Sequence, residues 1–237
     1  MTNPALWAIT GFTSSVDSGK EDIFKTNPVP PVYEEEASTG QQVIALTFDG
    51  GPEPEVTTRL LDVLDKNGAK ATFFLEGRKV DARPELAKLI LDRGYEVGNH
   101  SYNHPRLTEL ERAKIEKEIL DTSAAIERAT GTRPLFFRPP WGDWDLLVEE
   151  IANAAGLKMI LWSFGTDDWR IPDPKIVADN LVHRAYHRAI AILHQHPHVP
   201  DALAIALPRL ADKGYRFVAV SELIKHGDNA GATVAGS

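Results

Sequence analysis

The chain has 237 residues, with 34 acidic against 26 basic side chains, a formal charge of −8 and a hydrophobic content of 43%. That content supports a sizeable core and excludes wholesale disorder, and the acidic balance disfavours nucleic acid and anionic membrane surfaces as partners. Cysteine is absent, which removes disulfides, thiolate nucleophiles and Cys-ligated zinc, and no apolar run reaches the roughly 18 residues that a membrane-spanning helix needs.

Residues 1–40 read as an N-terminal extension. The segment from Asn27 to Val32 holds three prolines and favours extended backbone, because proline fixes φ and restricts its predecessor. Trp7 and Phe12 suggest that part of this arm packs on the domain. The N-terminus lacks the basic segment followed by an apolar stretch that marks a signal peptide, so localisation stays open.

From residue 41 to 225 strand and helix patterns alternate. Val43 to Phe48 is a buried-strand run. Val56, Leu60, Leu61 and Leu64 recur at helical spacing, and Gly68 marks the stop. Ala71 to Leu75 is the next strand. Leu86, Leu89 and Ile90 share a helical face that ends at Gly94, and Tyr95 to Val97 starts a short strand. Ile115, Ile119 and Ile126 line a longer helix ending near Gly131. Leu135 to Phe137 and Leu157 to Phe164 read as strands, 174–188 as a helix, Ala189 to Leu193 as a strand, 202–213 as a helix and Phe217 to Val220 as the last strand. Residues 226–237 have little to bury and read as a flexible tail. About seven βα units in series predict an α/β domain with parallel strands and helical crossovers.

The polar residues worth weighing follow these strands. His100 and His104 are four apart, but Pro105 disfavours a helix there, so the pair belongs on a loop. Their imidazoles suit zinc, cobalt or nickel, or else lie on the surface as plain histidines. Asp49, Arg138, Asp168 and His194 each follow a predicted strand. His196 and His198 crowd the loop of His194. His183 and His187 read as a solvated helix face. Trp141, Trp144, Trp162 and Trp169 cluster, with Trp141 and Trp169 the candidates for contact with a substrate and the others for core.

Five segments in order carry a family resemblance: Thr47 to Pro52, His100 to His104, Arg138 to Gly142, Gly165 to Trp169, and Ile192 to His194. The chain resembles the polysaccharide deacetylases, carbohydrate esterases of family 4 built on the NodB homology domain. The resemblance implies an irregular (β/α) barrel with its site at the C-terminal ends of the strands. It implies Asp49 as general base, Arg138 as its orienting partner, His194 as general acid, and Asp168 as the carboxylate that fixes the tautomer of His194. His100 and His104 become ligands of a divalent metal, zinc or else cobalt or nickel, and Trp141 and Trp169 walls of a sugar groove.

The implied activity is removal of acetyl groups, N-acetyl before O-acetyl, from a chitin-, peptidoglycan- or xylan-like carbohydrate. Members of the family are mostly exported. Besides Ile192 for a leucine and Gln195 for the aspartate usual after His194, two glycines depart from the pattern. Gly50 stands where the family has the metal-ligating aspartate, and Gly165 where it has another aspartate. Water or Asp49 would fill the first vacancy, or the metal would be missing, or the site would be degenerate. Asp167 is a candidate to replace the second. An inactive carbohydrate-binding relative and a metal-independent amidohydrolase are the competing readings.

Overall fold

The computed structural model describes residues 42–228. Eight strands among them form one parallel sheet: β1 (Gln42–Asp49), β2 (Thr72–Leu75), β3 (Glu96–Asn99), β4 (Phe136–Phe137), β5 (Lys158–Met159), β6 (Phe164–Gly165), β7 (Ile190–His194) and β8 (Tyr215–Val218). The order is β5-β4-β3-β2-β1-β7-β6, so β1 lies central and β5 and β6 are the ends of the path. The first half of β1 pairs with β8 and the second half with β7. This is the irregular (β/α) barrel that the alternation and the resemblance predict.

Every connection but the short one from β5 to β6 contains a helix. α1 (Val56–Lys66), α2 (Gly77–Ala82) and α3 (Pro84–Asp92) precede β3; α4 (Arg112–Thr130) precedes β4 and α5 (Leu146–Ala154) β5; α6 (Pro174–Arg184) and α7 (Val199–Asp212) flank β7, and α8 (Val220–Asp228) follows β8. Periodicity explains the packing. Leu60, Leu61 and Leu64 of α1 are fully buried in the same cluster as Phe48, Phe73 and Leu207. Burying one such side chain is worth about 1.5–3 kcal/mol. Gly131 ends α4 in the left-handed region, at φ 76°, a conformation open to glycine without a Cβ penalty.

Four expectations need correction. The single strand over 157–164 is two short ones, because the carbonyls of Ile160 and Leu161 turn to a buried arginine instead of a neighbouring strand. The helix begun at Pro174 stops at Arg184, so His187 is not on it; its Nδ1 accepts from the Val43 amide at 3.2 Å. α2, α5 and α8 were not expected, although Asp145 caps α5 by accepting from the Val148 amide at 2.9 Å. α8 runs to Asp228, past the expected start of the tail. The extension, with Trp7 and Phe12, and the rest of the tail lie outside the described residues.

No helix among the described residues is long and apolar enough to cross a membrane.

Candidate active site

The strand ends bring the expected residues to one rim. Asp49 is the last residue of β1, His100 follows β3, Arg138 follows β4, Asp168 follows β6, and His194 ends β7. Asp49 and His194 are register partners on adjacent strands.

Arg138 is fully buried and organises the floor. Its Nη1 donates to Asp49 Oδ1 and to Thr47 Oγ1, each at 2.7 Å. Nη2 donates to the Leu161 carbonyl at 3.0 Å and Nε to the Ile160 carbonyl at 3.2 Å. The guanidinium lies 4.1 Å above the Phe74 ring. A buried cation is tolerable only with this degree of pairing, and the result is a carboxylate of fixed orientation.

His100 completes that side. Its Nδ1 is 2.8 Å from the Arg138 carbonyl. A carbonyl only accepts, so Nδ1 carries the proton and Nε2 holds a lone pair, 3.6 Å from Asp49 Oδ2. Burial pushes the pKa of His100 down to about 4, and burial lowers that of His104 as well. The two rings lie 4.9 Å apart. Ser101, His104, Trp141 and Asp167 all take positive φ between 61° and 66°, strained backbone of the kind that gathers at functional loops.

The opposite side is the Asp168–His194 couple. Asp168 Oδ2 accepts from the His194 amide at 2.7 Å, and His194 Nδ1 lies 3.2 Å from Oδ1. Thr166 donates to Oδ1 at 3.0 Å. Burial pulls the imidazole pKa down, but the hydrogen bond and charge of Asp168 outweigh it, and the net shift is upward. Burial raises the pKa of Asp168, and His194 more than reverses that. His198 donates to the Asp168 carbonyl at 3.1 Å, so of the three crowded histidines His194 is the one that bonds the carboxylate itself.

The loop at Gly165 is braced differently from the family pattern. Arg184 donates to the Gly165 carbonyl at 2.7 Å and to Asp167 Oδ2 at 2.9 Å. Asp167 thus holds the loop through an arginine of α6, a contact between residues 17 apart in the chain.

Gly50 leaves space that other residues use. A Cβ built there would lie 3.5 Å from Glu76 Oε1 and 3.9 Å from Lys79 Nζ. Glu76, buried at the end of β2, is paired with Arg78 at 2.9 Å and Lys79 at 3.0 Å. Burial raises its pKa, but these cations prevail and keep it below the ordinary value. Gln195 takes the place of the family's aspartate after His194. Its amide donates to the Gly50 carbonyl at 2.7 Å while its oxygen accepts from Thr57 at 2.6 Å, tying the loop after β1 to α1.

Trp141 is half-exposed, 4.9 Å from the His104 ring, with the Arg106 guanidinium 5.3 Å from its own ring. Trp169 is also half-exposed. Trp144 and Trp162 pack against core clusters, as expected for structural residues.

Sequence reasoning missed Thr47, Glu76, Lys79, Thr166 and Arg184. A glutamate directly after the apolar strand Thr72–Leu75 was the available signal for Glu76, since strand C-termini carry the site in such barrels.

His100 and His104 suit a divalent cation as neutral imidazoles, one of them with its lone pair fixed toward the site. Asp168, His194 and His196 form a further possible Asp/His/His metal site, their ligand atoms within 4.8 Å of one another. Asp168 there already serves His194 and Thr166.

Residues 36–160 match the polysaccharide deacetylase family. The chain belongs to the polysaccharide deacetylase family. This deacetylase is 38% identical over 197 residues to a peptidoglycan-N-acetylglucosamine deacetylase of Bacillus cereus, covering 81% of this chain and 92% of that protein. It is 37% identical to the peptidoglycan-N-acetylmuramic acid deacetylase PdaC of Bacillus subtilis over 86% of this chain, and spans 43% of that longer protein. The solved structure of PdaC superposes with a TM-score of 0.77 at 36% identity, covering 81% of this chain and 95% of that one. A carbohydrate esterase family 4 pseudoenzyme from Bacillus anthracis superposes with a TM-score of 0.75 at 33% identity, covering 78% and 66% of the two chains. A mutant of that pseudoenzyme is described as having restored enzymatic activity. The family is generally metal-dependent, and this deacetylase is a hydrolase of the amide-cleaving, N-deacetylating kind.

Proposed function

We propose that this deacetylase hydrolyses the acetyl amide of N-acetylhexosamine units in peptidoglycan or a related polymer, which makes the cell envelope its proposed place of action. The observation that carries the reading is the buried Asp49–Arg138 pair facing the Asp168–His194 couple from the adjacent strand.

In the proposed reaction Asp49 accepts a proton from water as its oxygen bonds to the acetyl carbon. Arg138 and Thr47 keep the carboxylate in place, so no reorganisation is needed as charge moves. His194, held protonated by Asp168, gives its proton to the departing nitrogen as the C–N bond breaks. Acetate and a free sugar amine leave. A divalent cation at His100 and His104, zinc in this proposal, would polarise the acetyl carbonyl. Trp141 and Trp169 offer half-exposed faces on which pyranose rings would stack.

Acetate release from peptidoglycan fragments, chitin oligomers and acetylxylan tests the reading. We expect release from the N-acetylated substrates, lost in Asp49→Asn and in His194→Gln. Gly50 favours a second reading, a relative that binds such polymers without cleaving them. Tight binding of chitin oligomers with no acetate formed, with and without added Zn²⁺, would establish that reading instead.

A further inference from the structure

We infer that Glu76 supplies the carboxylate that residue 50 lacks, so that a divalent cation in this site is held by His100, His104 and Glu76. The inference rests on the metal-dependent reading above and identifies its third ligand.

Three strands define the geometry. β2 lies between β1 and β3 in the sheet. The Glu76 amide donates to the Gly51 carbonyl at 3.0 Å, and the His100 amide donates to the Leu75 carbonyl at 3.0 Å. The backbone therefore places residue 76 between residue 50 and His100 on the rim. A side chain starting at β2 and one methylene longer than aspartate reaches toward the space beside Gly50, where Oε1 stands 3.5 Å from the position of the absent Cβ. Glycine at 50 is what keeps a second carboxylate away from that oxygen, since two like charges so close would repel.

Glu76 is a buried carboxylate on the same rim as two imidazoles, and a carboxylate with two imidazoles is a donor set that zinc takes in mixed N/O sites.

Arg78, 2.9 Å from Oε2, and Lys79 are the present counterions of Glu76, and Lys79 is the one on Oε1. Its ammonium is 3.0 Å from Glu76 and 2.6 Å from Glu53. Among the described residues the ligand atoms of His100, His104 and Glu76 do not close to within 4.8 Å of one another. Cation binding requires Lys79 to release Glu76 while keeping Glu53, after which Glu76 and His104 turn inward. Lys79 thus neutralises Glu76 without a cation and stays paired with Glu53 when one is bound.

The test is calorimetric titration of the chelator-treated 237-residue protein with Zn²⁺ alone, with the Co²⁺ absorption spectrum as a second readout. We expect one ion per chain. Glu76→Gln and His104→Ala each weaken binding by at least about tenfold, Gly50→Asp in the Glu76→Gln background recovers it, and Lys79→Met tightens it. Binding unchanged in Glu76→Gln but lost in His104→Ala overturns the role of Glu76 and leaves the metal reading intact. No binding in the parent protein, with binding gained in Lys79→Met, overturns it too, because the ammonium is then the resident cation. Should Glu76→Gln lose its native circular dichroism, Glu76→Asp, one methylene short of the site, replaces it with the same expectation. Acetate release, scored separately, reports on the deacetylase reading itself.

Discussion

Replacing Arg138 with methionine removes the charge and all donors of the guanidinium while keeping an apolar stem against Phe74. The carboxylate of Asp49 is then buried without its ion-pair partner at 2.7 Å, a loss of about 3–5 kcal/mol. The carbonyls of Ile160 and Leu161 lose their donors from Arg138 as well, at about 1–3 kcal/mol for each one left unsatisfied. Water entering from the rim recovers part of this, so the net expectation is a loss of at least about 4 kcal/mol, a large share of a stability of about 5–15 kcal/mol. Urea unfolding followed by circular dichroism measures it. A cycle with Asp49→Ala isolates the pair: the double variant should fall short of additivity by about 2 kcal/mol or more. Acetate release should drop by a factor on the order of 10²–10⁴ with the base unoriented. A loss under about 1 kcal/mol in Arg138→Met, or strict additivity in the cycle, would refute the claim that this pair anchors the site.

Asp168→Asn removes the charge that raises the pKa of His194; the acid then deprotonates at lower pH, and the alkaline limb of the kcat/KM profile should move down by about one unit or more, an unmoved limb counting against His194 as the acid. His100 is held neutral, with its pKa depressed from 6.5 to about 4. The unfolded chain therefore binds more protons in that interval, so stability is full above 6.5 and is lost as pH falls toward 4, at up to about 1.4 kcal/mol per pH unit for this group. Urea midpoints taken across that range check it, and a His100→Gln variant should show a shallower decline. Gly131→Ala costs about 1 kcal/mol from its positive φ alone, since nothing lies within 4 Å of the added methyl. Gly98→Ala should cost more, at about 1–3 kcal/mol or above, because its methyl would lie 2.6 Å from the Phe74 ring; thermal melts that rank the two the other way would sink this packing argument.

Much of the site was legible because its residues follow strands, and strands are legible from apolar runs. Asp49, His100, Arg138, Asp168 and His194 each stand just after or at the end of such a run, and a parallel barrel gathers those ends. What failed to read were short elements whose form depends on partners. Leu157 to Phe164 looks continuous in sequence, yet the Ile160 and Leu161 carbonyls answer to an arginine more than 20 residues upstream. α8 and α2 are short amphipathic pieces whose pattern spans too few turns to stand out.

The residues by themselves determined the family and the alternation of strand and helix, and they marked Asp49, Arg138, Asp168 and His194 as candidates and Gly50 as a departure from the family's pattern, because motifs and apolar runs are local features of a sequence. Only the tertiary structure decided which side chains fill the space around that glycine. Glu76 and Lys79 lie 26 and 29 positions further along the chain, and nothing in a linear pattern says that the end of β2 reaches beside the end of β1. Parallel pairing puts them there, and burial makes their charges answer to one another.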